Sequence, residues 1–238
     1  MKKARELRAQ VRETFKDNWG KAIVMCLLPT VYLISAIFIT VIVAFIIGFI
    51  ITMITKSQNI GFAFSFVSIY VAYIILIMLL SLLFMGVRFK FIDWTKNPEL
   101  EFSAPMSVFN IFKYNIWMII KISLWQFLFI FLWSLLFVIP GIIKSFSYSQ
   151  AFNLYKLAVD EGNDNQYKAI DYITQSRNIM DGYKGRLFYL QLTFIGWMLL
   201  ACLTMGIGNL WLTPYIMASE SAFFNDLIEN NKSVLTDK

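Results

Sequence analysis

Residues 22–55 read AIVMCLLPTVYLISAIFITVIVAFIIGFIITMIT and carry no charged side chain over 34 positions. Two further charge-free runs follow, 31 residues long at 57–87 and 33 residues long at 187–219. A helix needs only about 20 apolar residues to cross the hydrocarbon core of a bilayer. The runs are apolar on every face, which is typical of helices and unlike the alternating strands of a membrane barrel. The sequence therefore predicts an all-α, polytopic membrane protein.

The composition agrees with a membrane protein and argues against an enzyme. Hydrophobic residues make up 58% of the chain and charged residues 15%, whereas a soluble domain has about 25% charged residues. Histidine, the commonest general base and metal ligand, is absent. Phosphate-binding and hydrolase motifs are absent as well. We therefore expect no catalytic residue, no metal and no cofactor. The net charge of +6 is attributed to membrane-flanking loops, and no nucleic-acid partner is expected.

Helix-breaking residues divide the longer apolar regions into pairs of helices. Pro140–Gly141 interrupts one region, and the sequence MGIGN at 205–209 interrupts another. Without the second break, residues 187–225 would form a helix about 60 Å long, twice the thickness of the hydrocarbon core. We therefore expect one membrane domain, 1–238, with six spans. Their approximate ranges are 22–53, 61–87, 117–139, 142–159, 187–205 and 209–227.

The distribution of basic residues predicts which side of the membrane each loop occupies. With six spans, one set of loops comprises residues 1–21, 88–121, 156–186 and 226–238, and it holds 19 of the 21 Lys and Arg residues. Basic residues collect on the cytoplasmic side of a membrane protein. Both termini are therefore expected in the cytoplasm. The first span, 22–53, is interpreted as an uncleaved anchor because no typical signal-cleavage site follows it.

The six spans form three hairpins, and a short amphipathic segment precedes each hairpin. Apolar residues recur at intervals of three or four positions in all three segments, which predicts a helix with one apolar face. The recurring residues are Ala4, Leu7, Val11, Phe15 and Trp19; Met106, Phe109, Phe112 and Ile116; and Ala169, Tyr172 or Ile173, Ser176, Ile179 or Met180, and Tyr183. The sequence leaves two locations possible for these helices. They either lie in the inner headgroup layer, beside anionic lipids, or pack against the cytoplasmic ends of the spans.

Lys144 is the first candidate for a functional residue within the spans. It follows the Pro140–Gly141 break and has no acidic residue within fifteen positions on either side. Counted from that break, its α-carbon is expected about 4–5 Å inside the outer end of the fourth span. Its ammonium either reaches the outer headgroups or faces a polar interior together with Tyr148, one turn further along the helix.

Glu220 is the second candidate, with Tyr215 one turn before it on the last span. Counted from Gly208, Glu220 is expected near the middle of that span, where a charge costs about 2.5–3.5 kcal/mol on insertion scales. It therefore serves either as a structural hydrogen-bond partner between helices or as a ligand or proton site. We predict that Lys144, Tyr148, Tyr215 and Glu220 all point inward rather than toward lipid, and that a shared wet cavity is more plausible than a direct bridge between the two charges.

Three stretches together resemble a family of bacterial integral membrane proteins of unknown function, DUF975. They are 138-VIPGIIKSFSYSQAF-152, 176-SRNIMDGYKGRLF-188 and 194-FIGWMLLACLTMGIGNLWLTPYIMASESAFFNDL-227. The N-terminal residues 5–22, which begin RELRAQ and end NWGKA, extend the resemblance over nearly the whole chain. The resemblance implies six spans in the bacterial cell membrane and implies no established reaction.

These observations favour a non-enzymatic integral membrane protein that binds another membrane component, which is a peptide, a lipid or a protein partner. The alternative is a small transporter or the membrane subunit of one, which would need a wet cavity near the bilayer midplane. An intramembrane enzyme acting on lipid is disfavoured because the spans carry neither a histidine nor a pair of carboxylates.

Overall fold

The protein is all-α in a computed structural model that describes residues 1–231. The helices are α1 Ala4–Phe15, α2 Trp19–Thr55, α3 Gln58–Lys96, α4 Ala104–Ser107, α5 Ile116–Leu136, α6 Val138–Tyr148, α7 Ala151–Asp160, α8 Ala169–Ile179, α9 Lys184–Leu192, α10 Ile195–Leu203 and α11 Asn209–Asn230. Short 3-10 helices at Val108–Lys113 and Asp164–Gln166 complete the secondary structure. No strand is present within the described range.

Four helical stretches are long and apolar enough to cross a membrane. They are Trp19–Thr55, Gln58–Lys96, Ile116–Leu136 and Lys184–Leu203. The expected arrangement of six spans as three hairpins is not confirmed. The region expected as the span 142–159 is divided between α6 and α7 at Ser149–Gln150. The region expected as 209–227 forms α11, whose second half carries Glu220, Asp226 and Glu229.

The break predicted at Pro140–Gly141 lies three residues earlier in the structure. Phe137 has extended backbone angles and separates α5 from α6, so Pro140 is the third residue of α6. Proline is tolerated there because the first turn of a helix lacks intrahelical acceptors for its N–H groups. Gly141 packs directly on α5, where an added Cβ would lie only 2.2 Å from the Ser134 hydroxyl oxygen.

Helices α2 and α3 pair closely along their outer halves through small residues. An added Cβ on Gly48 would lie 1.9 Å from the Ser65 hydroxyl oxygen, and one on Gly61 would lie 2.6 Å from the Gly48 carbonyl oxygen. The Ser65 hydroxyl donates across the helix pair to the Ala44 carbonyl at 3.2 Å. Small residues allow such close approach between membrane helices. The opposite surfaces of both helices are apolar and exposed, as lipid contact requires.

The buried core lies at the other end of α2 and α3, and we call this part of the molecule the head. The Phe15 ring packs against the rings of Phe91 and Trp94, with ring centroids 6.0 and 5.1 Å apart. These contacts hold α1 against the end of α3. The loops expected on one side of the membrane meet here. The backbone N–H of Lys2 donates to Asp226 at 2.8 Å, and Arg186 donates to the Met1 carbonyl at 3.1 Å.

The three segments with recurring apolar residues have different surroundings in the structure. Those in α1 and α8 bury most of these residues in the head, including Leu7, Val11 and Tyr172. The middle segment, α4 with its 3-10 helix, instead leaves Met106 and Phe112 exposed. The first and third segments thus pack against the ends of the long helices, which is one of the two locations that the sequence left open. The middle segment instead retains an apolar side that faces outward.

Candidate functional site

Lys144 and Tyr148 line a cleft of about 230 Å³ between α5, α6 and α8, which we call the Lys144 cleft. The Lys144 ammonium lies over the Trp133 ring, 4.5 Å from its centroid, which is a cation–π contact. Tyr148 is buried, with its ring 6.0 Å from that of Phe129. Arg177, on α8, lines the same cleft. Two cations thus share this cleft.

One cleft brings together Arg177 and Lys144, which were expected from the sequence on opposite sides of the membrane. Arg177 belongs to the basic segment 156–186, which the charge distribution assigns to the cytoplasmic side, whereas Lys144 was expected near the outer surface. Residues that line one cleft of this size cannot lie on opposite sides of a hydrocarbon core about 30 Å thick. The expected depth of Lys144 and the expected side of segment 156–186 therefore cannot both hold. The depth expected for Lys144 rests on the assumption that the chain between α5 and α6 turns at the outer surface.

Tyr215 is bonded to Arg8 of α1, a partner 207 positions away. The Arg8 Nε donates to the tyrosine hydroxyl oxygen at 3.2 Å, and this hydroxyl donates to the Arg8 carbonyl at 3.3 Å. The guanidinium also lies 5.1 Å from the centroid of the Phe194 ring. This contact joins α1, α11 and Phe194, the residue directly before α10.

A second cleft of about 420 Å³ opens beside this contact, and we call it the Arg8 cleft. Its basic end carries Arg8 and Arg12, which are four positions apart and therefore on one face of α1. The remainder is mostly apolar and aromatic, and its residues are Trp19, Trp197, Leu200, Ala201, Thr204, Gly208, Trp211, Leu212 and Tyr215. No carboxylate pairs with Arg8 or Arg12 within residues 1–231. The cleft therefore offers positive charge at one end and apolar surface along the rest.

Glu220 lies between α9 and α3 and has partners from both helices. One of its oxygens accepts a hydrogen bond from the Gln191 amide at 2.9 Å, and the other lies 3.8 Å from the Arg88 guanidinium. Arg88 is the first charged residue after the apolar run of α3. Glu220 is thus at the charged end of α3 rather than near the middle of a span. The position expected from the sequence was counted from Gly208, on the assumption that this residue lies at the outer surface.

The four predicted residues do not form one site. Lys144 and Tyr148 line the Lys144 cleft, Tyr215 lines the Arg8 cleft, and Glu220 is held by Arg88 and Gln191. The shared cavity expected for Lys144 and Glu220 is therefore not what these contacts show. The sequence interpretation missed the arginines of both clefts. The spacing of Arg8 and Arg12 on α1 was the available signal, since it places both on one helix face.

A polar cleft of about 370 Å³ at the far end of the head includes a buried lysine. The ammonium of Lys156 is paired with the carboxylates of Asp93 and Asp160. The side-chain oxygen of Asn153, in the same cleft, is buried without a hydrogen-bond partner in the described structure. On α8, outside the lining of this cleft, burial of Tyr172 raises the pKa of its hydroxyl to about 12, and the Asp164 carboxylate adds to the rise. The ion pairs of Lys156 join α3 to α7, whereas the Asn153 oxygen is left without a partner.

A metal site of the usual composition is not formed in the described part of the chain. Residues 1–231 contain no group of three or more His, Cys, Asp or Glu side chains close enough to hold an ion. Cys26 is buried and Cys202 is exposed, and both thiols are free.

Long apolar helices that emerge from a charged head define the class of a membrane protein. A family model described as "Protein of unknown function (DUF975)" matches residues 152–231, which comprise nearly all of α7 to α11. The resemblance predicted from the sequence is thereby confirmed over this region, which includes Arg177, Tyr215 and Glu220. Comparisons with curated proteins and with solved structures find no match.

Proposed function

We propose that this protein is a non-enzymatic membrane protein whose Arg8 cleft binds an anionic phospholipid. The proposal places it in the bacterial cell membrane with both termini in the cytoplasm, because basic residues mark the cytoplasmic side. The observation that carries it is the composition of the cleft. Two arginines without carboxylate partners in the described structure stand at one end, and three tryptophans line the apolar remainder.

The basic end of the cleft matches a phosphate in charge and geometry. Arginine presents a planar fork of donors that suits phosphate oxygens. The contact of Arg8 with Tyr215 uses only its Nε, which leaves the terminal guanidinium nitrogens available. Each basic residue near an anionic membrane surface contributes about 1 kcal/mol of attraction.

The apolar part of the cleft matches an acyl chain. Trp197 and Trp211 are both about half exposed, and tryptophan is enriched where a membrane meets water. Leu200 and Leu212 extend this surface toward the turn between α10 and α11. A molecule with an anionic head and an apolar tail satisfies both ends of the cleft, whereas a wholly polar ligand would leave the apolar end in water.

A transporter remains the alternative for the same chain, and it would need a wet cavity near the bilayer midplane. The Arg8, Lys144 and polar clefts are each lined by residues of the head or its edge. Their position at the charged end favours lipid binding.

Lipid binding is tested by native mass spectrometry of the detergent-purified full chain titrated with phosphatidylglycerol or phosphatidylcholine. We compare wild type with Arg12→Gln, which removes one cleft cation without disturbing the Arg8–Tyr215 contact. Lys16→Gln is the matched control, since Lys16 is exposed one turn further along the chain and does not line the cleft.

Wild type is expected to bind phosphatidylglycerol more tightly than phosphatidylcholine. Arg12→Gln should weaken phosphatidylglycerol binding about fivefold, corresponding to the loss of about 1 kcal/mol, and Lys16→Gln should leave it unchanged. Equal affinity of the wild type for both lipids, or equal weakening by both substitutions, would overturn the proposal.

A further inference from the structure

Two hairpins of this protein end in apolar turns that carry no charge. In the turn between α5 and α6, Phe137 is 73% exposed, and in the turn between α10 and α11, Leu203 and Met205 are 81% and 97% exposed. The turn between α2 and α3 is different, because Lys56 and Ser57 form it. A turn at an aqueous surface is usually polar. The first two turns thus have the composition of a surface in contact with lipid.

The turn between α10 and α11 lies close to the head. Tyr215 is bonded to Arg8 of the N-terminal basic segment. Gly208 precedes Tyr215 by seven residues of the sequence, which corresponds to about 10 Å of helix. The hydrocarbon core of a bilayer is about 30 Å thick. A hairpin that begins beside Arg8 therefore ends well before the opposite surface.

The turn between α5 and α6 has the same relation to the cations of the Lys144 cleft. Lys144 contacts Trp133 and shares its cleft with Arg177 of α8. Phe137 precedes Lys144 by seven residues, again about 10 Å along the helix. Measured from these cations along α6 and α11, each apolar turn thus extends about 10 Å, which is less than the depth of one leaflet.

The backbone of the α10–α11 turn is suited to an environment without water. Every backbone N–H from Thr204 to Leu210 donates to an oxygen of the same hairpin. The Gly206 N–H donates to the Ala201 carbonyl oxygen at 3.0 Å, and the Gly208 N–H donates to the Thr204 hydroxyl oxygen at 2.9 Å. An unsatisfied backbone group costs several kcal/mol in lipid, so this closure makes insertion of the turn feasible.

We propose that both hairpins insert into the acyl chains of the leaflet nearest the head and turn back within it. Helices α2 and α3 then form the one hairpin, among residues 1–231, that crosses the whole bilayer. The partner of each turn is the hydrocarbon of that leaflet, and the cations at its base lie at the level of the lipid phosphates. This arrangement does not depend on a bound lipid in the Arg8 cleft.

The arrangement is tested by cysteine labelling in intact cells. Single cysteines replace Ser57, Val138 or Met205 in a background in which Cys26 and Cys202 are alanine. A membrane-impermeant maleimide is added from outside. Ser57→Cys should be labelled, because it lies in the turn of the crossing hairpin, whereas Val138→Cys and Met205→Cys should remain unlabelled. Labelling of either of these two at the level of Ser57→Cys would overturn the proposal.

A distance measurement tests separately whether the α10–α11 turn lies at the surface that the α2–α3 turn reaches. Nitroxides are placed at positions 57 and 205 of the full chain in lipid nanodiscs, and their separation is measured by pulsed electron resonance. Arg88 and Glu220 are paired and therefore lie at one level. Along α3, Ser57 lies about 46 Å from this level, and along α11, Gly208 lies about 18 Å from it. The inserted arrangement therefore predicts a separation of about 30 Å or more. If both turns lay at one surface, the separation would be about 10–20 Å, set by the lateral spacing of one or two helices.

Discussion

Neutralising Glu220 tests whether this residue has a structural role in the folded protein. Its carboxylate lies 3.8 Å from the Arg88 guanidinium, and the Nε of Arg88 is buried without a hydrogen-bond partner in the described structure. Glu220→Gln keeps the shape of the side chain and removes its charge. The substitution leaves a largely buried guanidinium without its counter-charge, and this destabilises the fold.

The expected size of the effect follows from the separation and exposure of the pair. Two unit charges 3.8 Å apart attract each other by about 1 kcal/mol in water and by about 4 kcal/mol at the effective dielectric constant near a protein surface. The side chains of Arg88 and Glu220 are 28% and 18% exposed. We therefore expect a coupling free energy between these limits, about 2 kcal/mol.

The assay is a double-mutant cycle on the detergent-purified protein. The free energy of unfolding is measured by denaturant titration for wild type, Glu220→Gln, Arg88→Met and the double variant. Each single variant should be less stable than wild type, and the double variant should be more stable than the sum of the two losses predicts. The salt dependence of the coupling should be weak, because buried pairs are screened less than exposed ones.

Two results would refute this reasoning. A coupling free energy near zero would show that Arg88 and Glu220 do not interact in the folded protein. Full stability of Glu220→Gln, combined with loss of lipid binding, would show that Glu220 belongs to a binding site rather than to the fold.

Three further predictions concern packing, pH and thiol reactivity. Gly61→Ala should lower the free energy of unfolding by about 1–3 kcal/mol, since its methyl group would overlap the backbone of α2. The control is Gly20→Ala, whose Cβ would meet no atom within 4 Å and which should leave the free energy of unfolding unchanged or raise it. Equal effects of the two substitutions would contradict the close α2–α3 contact. The pKa of Tyr172 is raised to about 12, so above pH 10 the folded state keeps the phenolic proton while the unfolded state releases it. The free energy of unfolding should therefore fall between pH 10 and pH 12, and Tyr172→Phe should reduce this fall. An identical pH profile for the variant and wild type would show that Tyr172 is not the group responsible. A small membrane-permeant maleimide should leave the buried Cys26 unmodified in the native protein and should modify it after unfolding in denaturant, as determined by peptide mass spectrometry. Rapid modification of Cys26 in the native protein would contradict its burial.

The helices themselves follow closely from the sequence. Charge-free runs longer than a bilayer requires predict α2 and α3, because apolar side chains without charge dictate helices in lipid. The apolar spacing of residues 4–19 likewise predicts α1. These features depend on neighbours three or four positions apart, which is the information that a single sequence contains.

The depth of each polar residue could not be predicted in the same way. Lys144 and Glu220 were positioned by counting from nearby breaks, under the assumption that every hairpin crosses the bilayer. Their actual surroundings depend on Arg177 and Arg88, which are far away in the chain and are brought close by the packing of α8 and α3. The Arg8 cleft was missed for the same reason, because its basic and apolar ends come from opposite ends of the sequence.

A structure of the full chain in nanodiscs containing phosphatidylglycerol would test lipid binding at the Arg8 cleft most directly. We predict a lipid whose phosphate is hydrogen-bonded by Arg8 or Arg12 and whose acyl chain lies along Trp197 and Trp211. A cleft in which no lipid is seen, or one that holds a choline lipid equally well, would contradict the proposed function.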